Sequence, residues 1–127
     1  MKTEHWTKEP DKKDYPAALN YLSLLMNPRE AERIVKALKA KSRIDHFAAK
    51  DLLRASGLSH LGADDHEVEK DLDKVKSGER LSPVLLVRGA PLLVADGYHR
   101  ICASYHLSED EIIPCRIVER SSGKLGT

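Results

Sequence analysis

Asp96, Gly97, Tyr98, His99 and Arg100 stand in a row, directly after the apolar run Leu92-Leu93-Val94-Ala95 and directly before a segment with helical spacing. A glycine where a strand gives way to a helix lets the chain turn, and the first backbone N–H groups of the helix have no partner inside it. Those groups, with roughly half a positive charge from the helix dipole, attract an anion. Arg100 adds a fixed charge and a fork of donors, and His99 adds a ring that can hydrogen-bond, transfer a proton or touch a phosphate. The predicted chemistry is therefore a grip on a phosphate or a sulfate. The alternative is a helix capped by Asp96, with Arg100 solvated and His99 structural. Tyr98, Ile101, Cys102 and Tyr105 recur at i, i+3, i+4 and i+7, which predicts a stripe facing the core and gives Tyr98 a packing role.

The segments around this turn predict an α+β fold, a small mixed sheet with packed helices. Leu19, Leu22, Leu25 and Met26 have helical spacing from Tyr15 to Met26, with Asp14 and Pro16 at the start as cap and early helical residue. Asn27-Pro28 supplies a cap and a first-turn proline for a second helix through Ala40, so residues 14–40 form a helical hairpin. Arg43 to Ala48 reads as a short strand, and Lys50 to Ser56 as helical turns closed by Gly57. Val68, Leu72 and Val75 predict a helix capped by Asp64 or Asp65 and stopped by Ser77-Gly78. Val84 to Val87 and Leu92 to Val94 flank the turn Arg88-Gly89-Ala90-Pro91 and read as a β-hairpin; a helix from Tyr98 to Leu107 and a strand from Ile112 to Val118 follow. Residues 1–13 read as a charged, solvated lead-in from which Trp6 stands out, and Ser121 to Thr127 as a flexible tail.

With 127 residues the chain suits one domain. Twenty-one Lys and Arg against 20 Asp and Glu leave a net charge of +1, so no global field draws the protein to a polyanion. No apolar run approaches the roughly 20 residues that cross a bilayer, and the first residues lack the apolar stretch of a secretion signal, so no membrane partner and a cytoplasmic location are expected. Cys102 and Cys115 sit in apolar pattern, as buried free thiols of a reducing compartment do, with a disulfide between them as the less favoured alternative. His60, Asp64, Asp65 and His66 fit no standard metal spacing, and no metal site is expected there. Lys36, Lys39, Lys41 and Arg43 read as a solvated face that complements a helix C-terminus, with contact to a nucleic-acid backbone as the alternative.

The order of motifs resembles the ParB/sulfiredoxin superfamily. A helix (Val68 to Lys76) leads to Ser82-Pro83-Val84-Leu85-Leu86-Val87, then to a second strand, then to Gly97-Tyr98-His99-Arg100-Ile101-Cys102-Ala103 in place of Gly-x-x-Arg-x-x-Ala, then to Ile113-Pro114-Cys115. The resemblance covers residues 65–118, or 43–118 with the leading strand and turn, and leaves the helical hairpin outside. It implies a ParB N-terminal-like core that binds a nucleotide or other phosphorylated ligand, with or without magnesium. Gly97 would be the close-approach glycine, Arg100 the phosphate clamp, His99 a second polar contact, Tyr98 a neighbour in the same turn and Ser82 part of the cleft wall. Phosphotransfer or hydrolysis would use Asp96 and His99. Sulfiredoxins carry their catalytic cysteine just before the His-Arg pair, where this chain has Tyr98, so sulfinic-acid reduction is not expected. The chain ends soon after its last strand, so the helix-turn-helix of the chromosome-partitioning members is not expected either. Two other functions fit: a DNA-associated module or metal-dependent nuclease, and a non-enzymatic interaction domain that works as a homodimer or with a partner protein.

Overall fold

The computed structural model describes residues 5–121. In chain order it contains α1 (Asp14–Leu25), α2 (Pro28–Ala40), β1 (Asp45–Ala48), α3 (Ala49–Ser56), α4 (His66–Lys76), β2 (Val84–Arg88), β3 (Leu93–Asp96), α5 (Tyr98–Leu107) and β4 (Ile112–Glu119). The strands form one mixed sheet in the order β1-β4-β2-β3. β2 pairs antiparallel with β3, as the turn residues between them predict, and parallel with β4, which in turn pairs antiparallel with β1.

The unbroken apolar run Val84-Leu85-Leu86-Val87 is explained by what covers it. Side chains alternate across a strand, so Val84 and Leu86 enter a core with α3, α4 and α5, while Leu85 and Val87 enter a second core with α1 and α2. A strand covered on both faces needs apolar residues at every position. In β4, Ile113, Cys115 and Ile117 join the first core and Val118 the second. Arg116 is buried and turned to work at a helix end: Nη1 donates to the carbonyls of Leu38 and Lys39 (both 3.3 Å) and to Tyr15 Oη (2.9 Å). It thereby caps the C-terminus of α2, where the Leu38 carbonyl also accepts from the Lys41 N–H (3.3 Å).

The helix boundaries follow from local chemistry. Asn27 Oδ1 accepts from the Arg29 N–H (2.9 Å) with Pro28 in the first turn, and Asp65 Oδ1 accepts from Glu67 and Val68 (3.0 and 3.2 Å). Gly57, at φ 69°, closes α3.

Three expectations are corrected. Asp14 does not cap α1; it is the first helical residue, with Lys13 before it and no side-chain cap. Of the lead-in, residues 5–13 are described, and they are solvated only in part: Trp6 is buried and bridges Leu81, Thr7 N–H donates to the Leu81 carbonyl and Leu81 N–H to that of His5 (both 2.8 Å). Burying an indole offsets the entropy of ordering this segment. Third, β1 begins at Asp45 and not at Arg43, whose guanidinium instead pairs with Asp45 (2.9 Å). Apart from Ser121, the stretch read as a tail lies outside the described residues. Among the described residues no helix is long and apolar enough to cross a membrane, and Cys102 and Cys115 are buried and free.

Candidate functional site

β3 ends at Asp96 and α5 begins at Tyr98, with Gly97 between them at φ 112°. A Cβ on Gly97 would stand 2.4 Å from Val84 Cγ1 and 2.8 Å from Val84 Cβ. The close approach that requires glycine here is thus to the chain's own central strand. No side chain caps α5, Asp96 included; the first intrahelical bond runs from Ile101 N–H to the Gly97 carbonyl (3.0 Å). The N–H groups of Tyr98, His99 and Arg100 precede that bond, so the end of α5 keeps its attraction for an anion.

Asp96 is turned toward Arg100 instead. Arg100 Nη2 donates to Asp96 Oδ2 (3.1 Å) and to the Pro83 carbonyl (3.4 Å), and Nη1 lies 3.7 Å from Asp14 Oδ1. Asp14 Oδ2 accepts from Ser82 Oγ (2.7 Å) and from the Asp11 N–H (2.9 Å). The side chains of Asp14, Arg100 and Asp96 are 3, 14 and 19 % exposed, so a mostly desolvated guanidinium sits between two carboxyl groups. Arg100, expected as a phosphate clamp, is thus engaged by carboxyl groups of its own chain. One of them, Asp14, is delivered by a helix outside the segment that carries the resemblance.

Burial is the main reason why the Asp96 carboxyl is pushed up to about 6; Arg100 opposes the rise, and the charge of Asp14 and a hydrogen bond with it add to it. The folded state therefore binds a proton between pH ~4 and ~6 that the unfolded chain releases, and stability falls as pH rises through that window. Asp96→Asn mimics the protonated form. It is expected to flatten this pH dependence and to make the protein more stable at pH 7.5 by roughly 1–3 kcal/mol, as read from urea denaturation at pH 4.5, 6 and 7.5. A loss of stability at pH 7.5 would instead mean that the charged Asp96–Arg100 pair outweighs the desolvation.

Two connected clefts open over this cluster. One, of about 460 Å³, lies between the Thr7–Lys13 segment, α4 and Arg80–Ser82; the other, of about 250 Å³, lies between α4 and Asp96–Arg100. Lys13, Asp71, Lys74 and Arg100 line both, and Lys70 adds a further cation to the second. Asp71 is half-buried and its carboxyl is raised by burial, against the lowering pull of Arg100, Lys74 and His99.

The fold thus brings Gly97, Tyr98, His99 and Arg100 to one cleft, and Ser82 beside Arg100 in the other. Tyr98 packs against the core and its hydroxyl donates to the Ser59 carbonyl, while burial raises the Tyr98 phenol and the Cys102 thiol. His60 packs on Tyr105 and His106, with ring centroids 4.3 and 4.4 Å away. Among the described residues no group of three His, Cys, Asp or Glu side chains is placed to hold a metal ion. Sequence reading missed Asp14 as a partner of Arg100, and it missed Lys13, Lys70, Asp71 and Lys74 as walls of the cleft. The α4 residues have the alternating charges of any solvated helix face, so only the packing of α4 against α5 distinguishes them. Comparison of the chain with family models, with curated proteins and with solved structures gave no match in any of the three.

Proposed function

We propose that this chain is a ParB-like domain that binds a nucleotide or another phosphorylated ligand at the N-terminus of α5. The observation that carries this reading is the uncapped start of that helix at a cleft rimmed by Lys13, Lys70 and Lys74. Backbone N–H groups of Tyr98 and His99 would meet the phosphate oxygens, with the lysines and the His99 ring neutralising the remaining charge. The order of strand, strand, uncapped helix and strand over Val84–Glu119 supports the ParB-like part. Arg100 serves as a positioning residue that holds Asp14 and Asp96, and Asp96 and His99 are the groups at this end of the cleft able to move a proton. Magnesium brought by a polyphosphate would meet Glu67 and Asp71 on the α4 wall and would neutralise phosphate charge there.

Because Lys70 is exposed and Lys74 is only partly buried, replacing both by alanine tests the cleft without touching the core. Nucleotides and pyrophosphate, each with and without magnesium, are expected to raise the melting temperature of the wild type. At about 100 times Kd the added stability is about 2.7 kcal/mol, a rise on the order of 10 °C for a domain of this size. Lys70→Ala/Lys74→Ala should melt at the wild-type temperature and lose most of the rise. If no phosphorylated compound shifts the wild type, the reading fails.

A further inference from the structure

The lysine-rimmed cleft adjoins a third hollow of different character. It measures about 320 Å³ and is lined by Ala17 and Tyr21 of α1, by Leu58 and Val94, and by Asp96–His99, which line the charged cleft as well. One side of the Gly97–His99 turn therefore faces a charged cleft, in which Lys13, Lys70 and Lys74 stand beside Glu67 and Asp71, and the other faces mainly apolar side chains and rings, with Asp96 at the border of both. A ligand that spans the turn must be charged at one end and apolar at the other. The apolar end also has a prepared surface. The Tyr98 hydroxyl is tied to the Ser59 carbonyl, its ring lies 5.4 Å from that of His99 at 49°, and Tyr21 keeps 39 % of its surface exposed at the mouth. Fixed rings at the edge of a phosphate site are a stacking platform, since every nucleobase offers a π-face. Of the polar side chains that line the hollow, the Asp96 carboxyl is held by Arg100 and the Tyr98 hydroxyl by the Ser59 carbonyl, which leaves the His99 ring and the Tyr21 hydroxyl for a base edge; each can donate or accept and so separates adenine from guanine poorly.

We infer that this hollow is the base subsite of the ligand whose phosphates occupy the lysine-rimmed cleft, and that it takes purine nucleotides by stacking, with little discrimination between adenine and guanine. The inference rests on the phosphate-binding reading above and adds the ligand class to it. Ala17 and Tyr21 belong to α1, outside the segment that resembles the ParB core, so the subsite is a feature of this chain's own helical hairpin.

Calorimetric titration of the full chain with ATP, GTP, CTP and tripolyphosphate tests it. ATP and GTP are expected to bind within about threefold of each other and at least about tenfold more tightly than tripolyphosphate, the size of a single base stack, with CTP in between. Ala17 and Tyr21 are exposed, so Tyr21→Ala and the blocking Ala17→Leu leave the core intact. Each should bring the nucleotides down to the tripolyphosphate level and leave tripolyphosphate binding unchanged. Nucleotides that bind no better than tripolyphosphate, or a preference that survives both substitutions, would overturn the base subsite while the phosphate site stands. A wild type that binds none of the four would remove the phosphate reading, and the subsite with it.

Discussion

Gly97→Ala is expected to destabilise the fold by about 2–5 kcal/mol, seen as a lower midpoint in urea with an unchanged slope. Two separate costs add. The backbone at φ 112° is one that L side chains rarely adopt, which costs about 1–2 kcal/mol. The new methyl would also stand 2.4 Å from Cγ1 of Val84, which is fully buried in the central strand and has no room to swing aside; overpacking of this kind costs about 1–3 kcal/mol. Gly57→Ala separates the two costs. Gly57 has φ 69° but nothing within 4 Å of its would-be Cβ, so that variant should lose only about 1 kcal/mol. Equal losses at the two glycines would show that Val84 does not constrain the turn.

Where a feature rests on neighbours in sequence, it is legible. The Asn27-Pro28 start of α2, the Asp65 cap of α4 and the Gly57 stop of α3 are local hydrogen bonds and local dihedrals, and each is visible in three or four letters. The apolar run of β2 marks a strand, though that helices cover both its faces depends on where α1 and α2 dock. The candidate site divides the same way. The Gly-x-His-Arg turn is contiguous and stands out, whereas Asp14 lies 68 residues from Ser82, to which it is hydrogen-bonded, and as a carboxylate at a helix start it resembles an ordinary cap. Trp6 stands out as an anomaly in a charged segment, but its partner Leu81 cannot be inferred from either end. Tertiary packing thus places the arginine expected as a phosphate clamp at the centre of an ion cluster.

That cluster makes Arg100→Met the most informative substitution for stability. The methionine keeps the apolar stem and removes the charge, which leaves Asp14 and Asp96 desolvated with no cation between them. Removing one partner from a buried ion cluster costs about 3–5 kcal/mol, and a loss of that size is expected at pH 7.5 in urea denaturation. The loss should shrink in acid. Arg100 lowers the Asp96 carboxyl, so without it the folded-state value moves further above 6, and the native protein takes up a proton over a wider window than the unfolded chain does. Stability of the variant should then rise as pH falls from 7.5 to 5, more steeply than in the wild type. Arg100→Met/Asp96→Asn should recover part of the loss at pH 7.5, because one of the two stranded charges is gone; neighbours that share a network couple by about 0.5–3 kcal/mol. Arg100→Lys should fall between, since an ammonium keeps the charge but cannot reach Asp96, Asp14 and the Pro83 carbonyl with one planar fork. A loss below about 1 kcal/mol that does not change with pH would mean that the carboxyl groups find water or another partner, and Arg100 would then be free to act on a ligand directly.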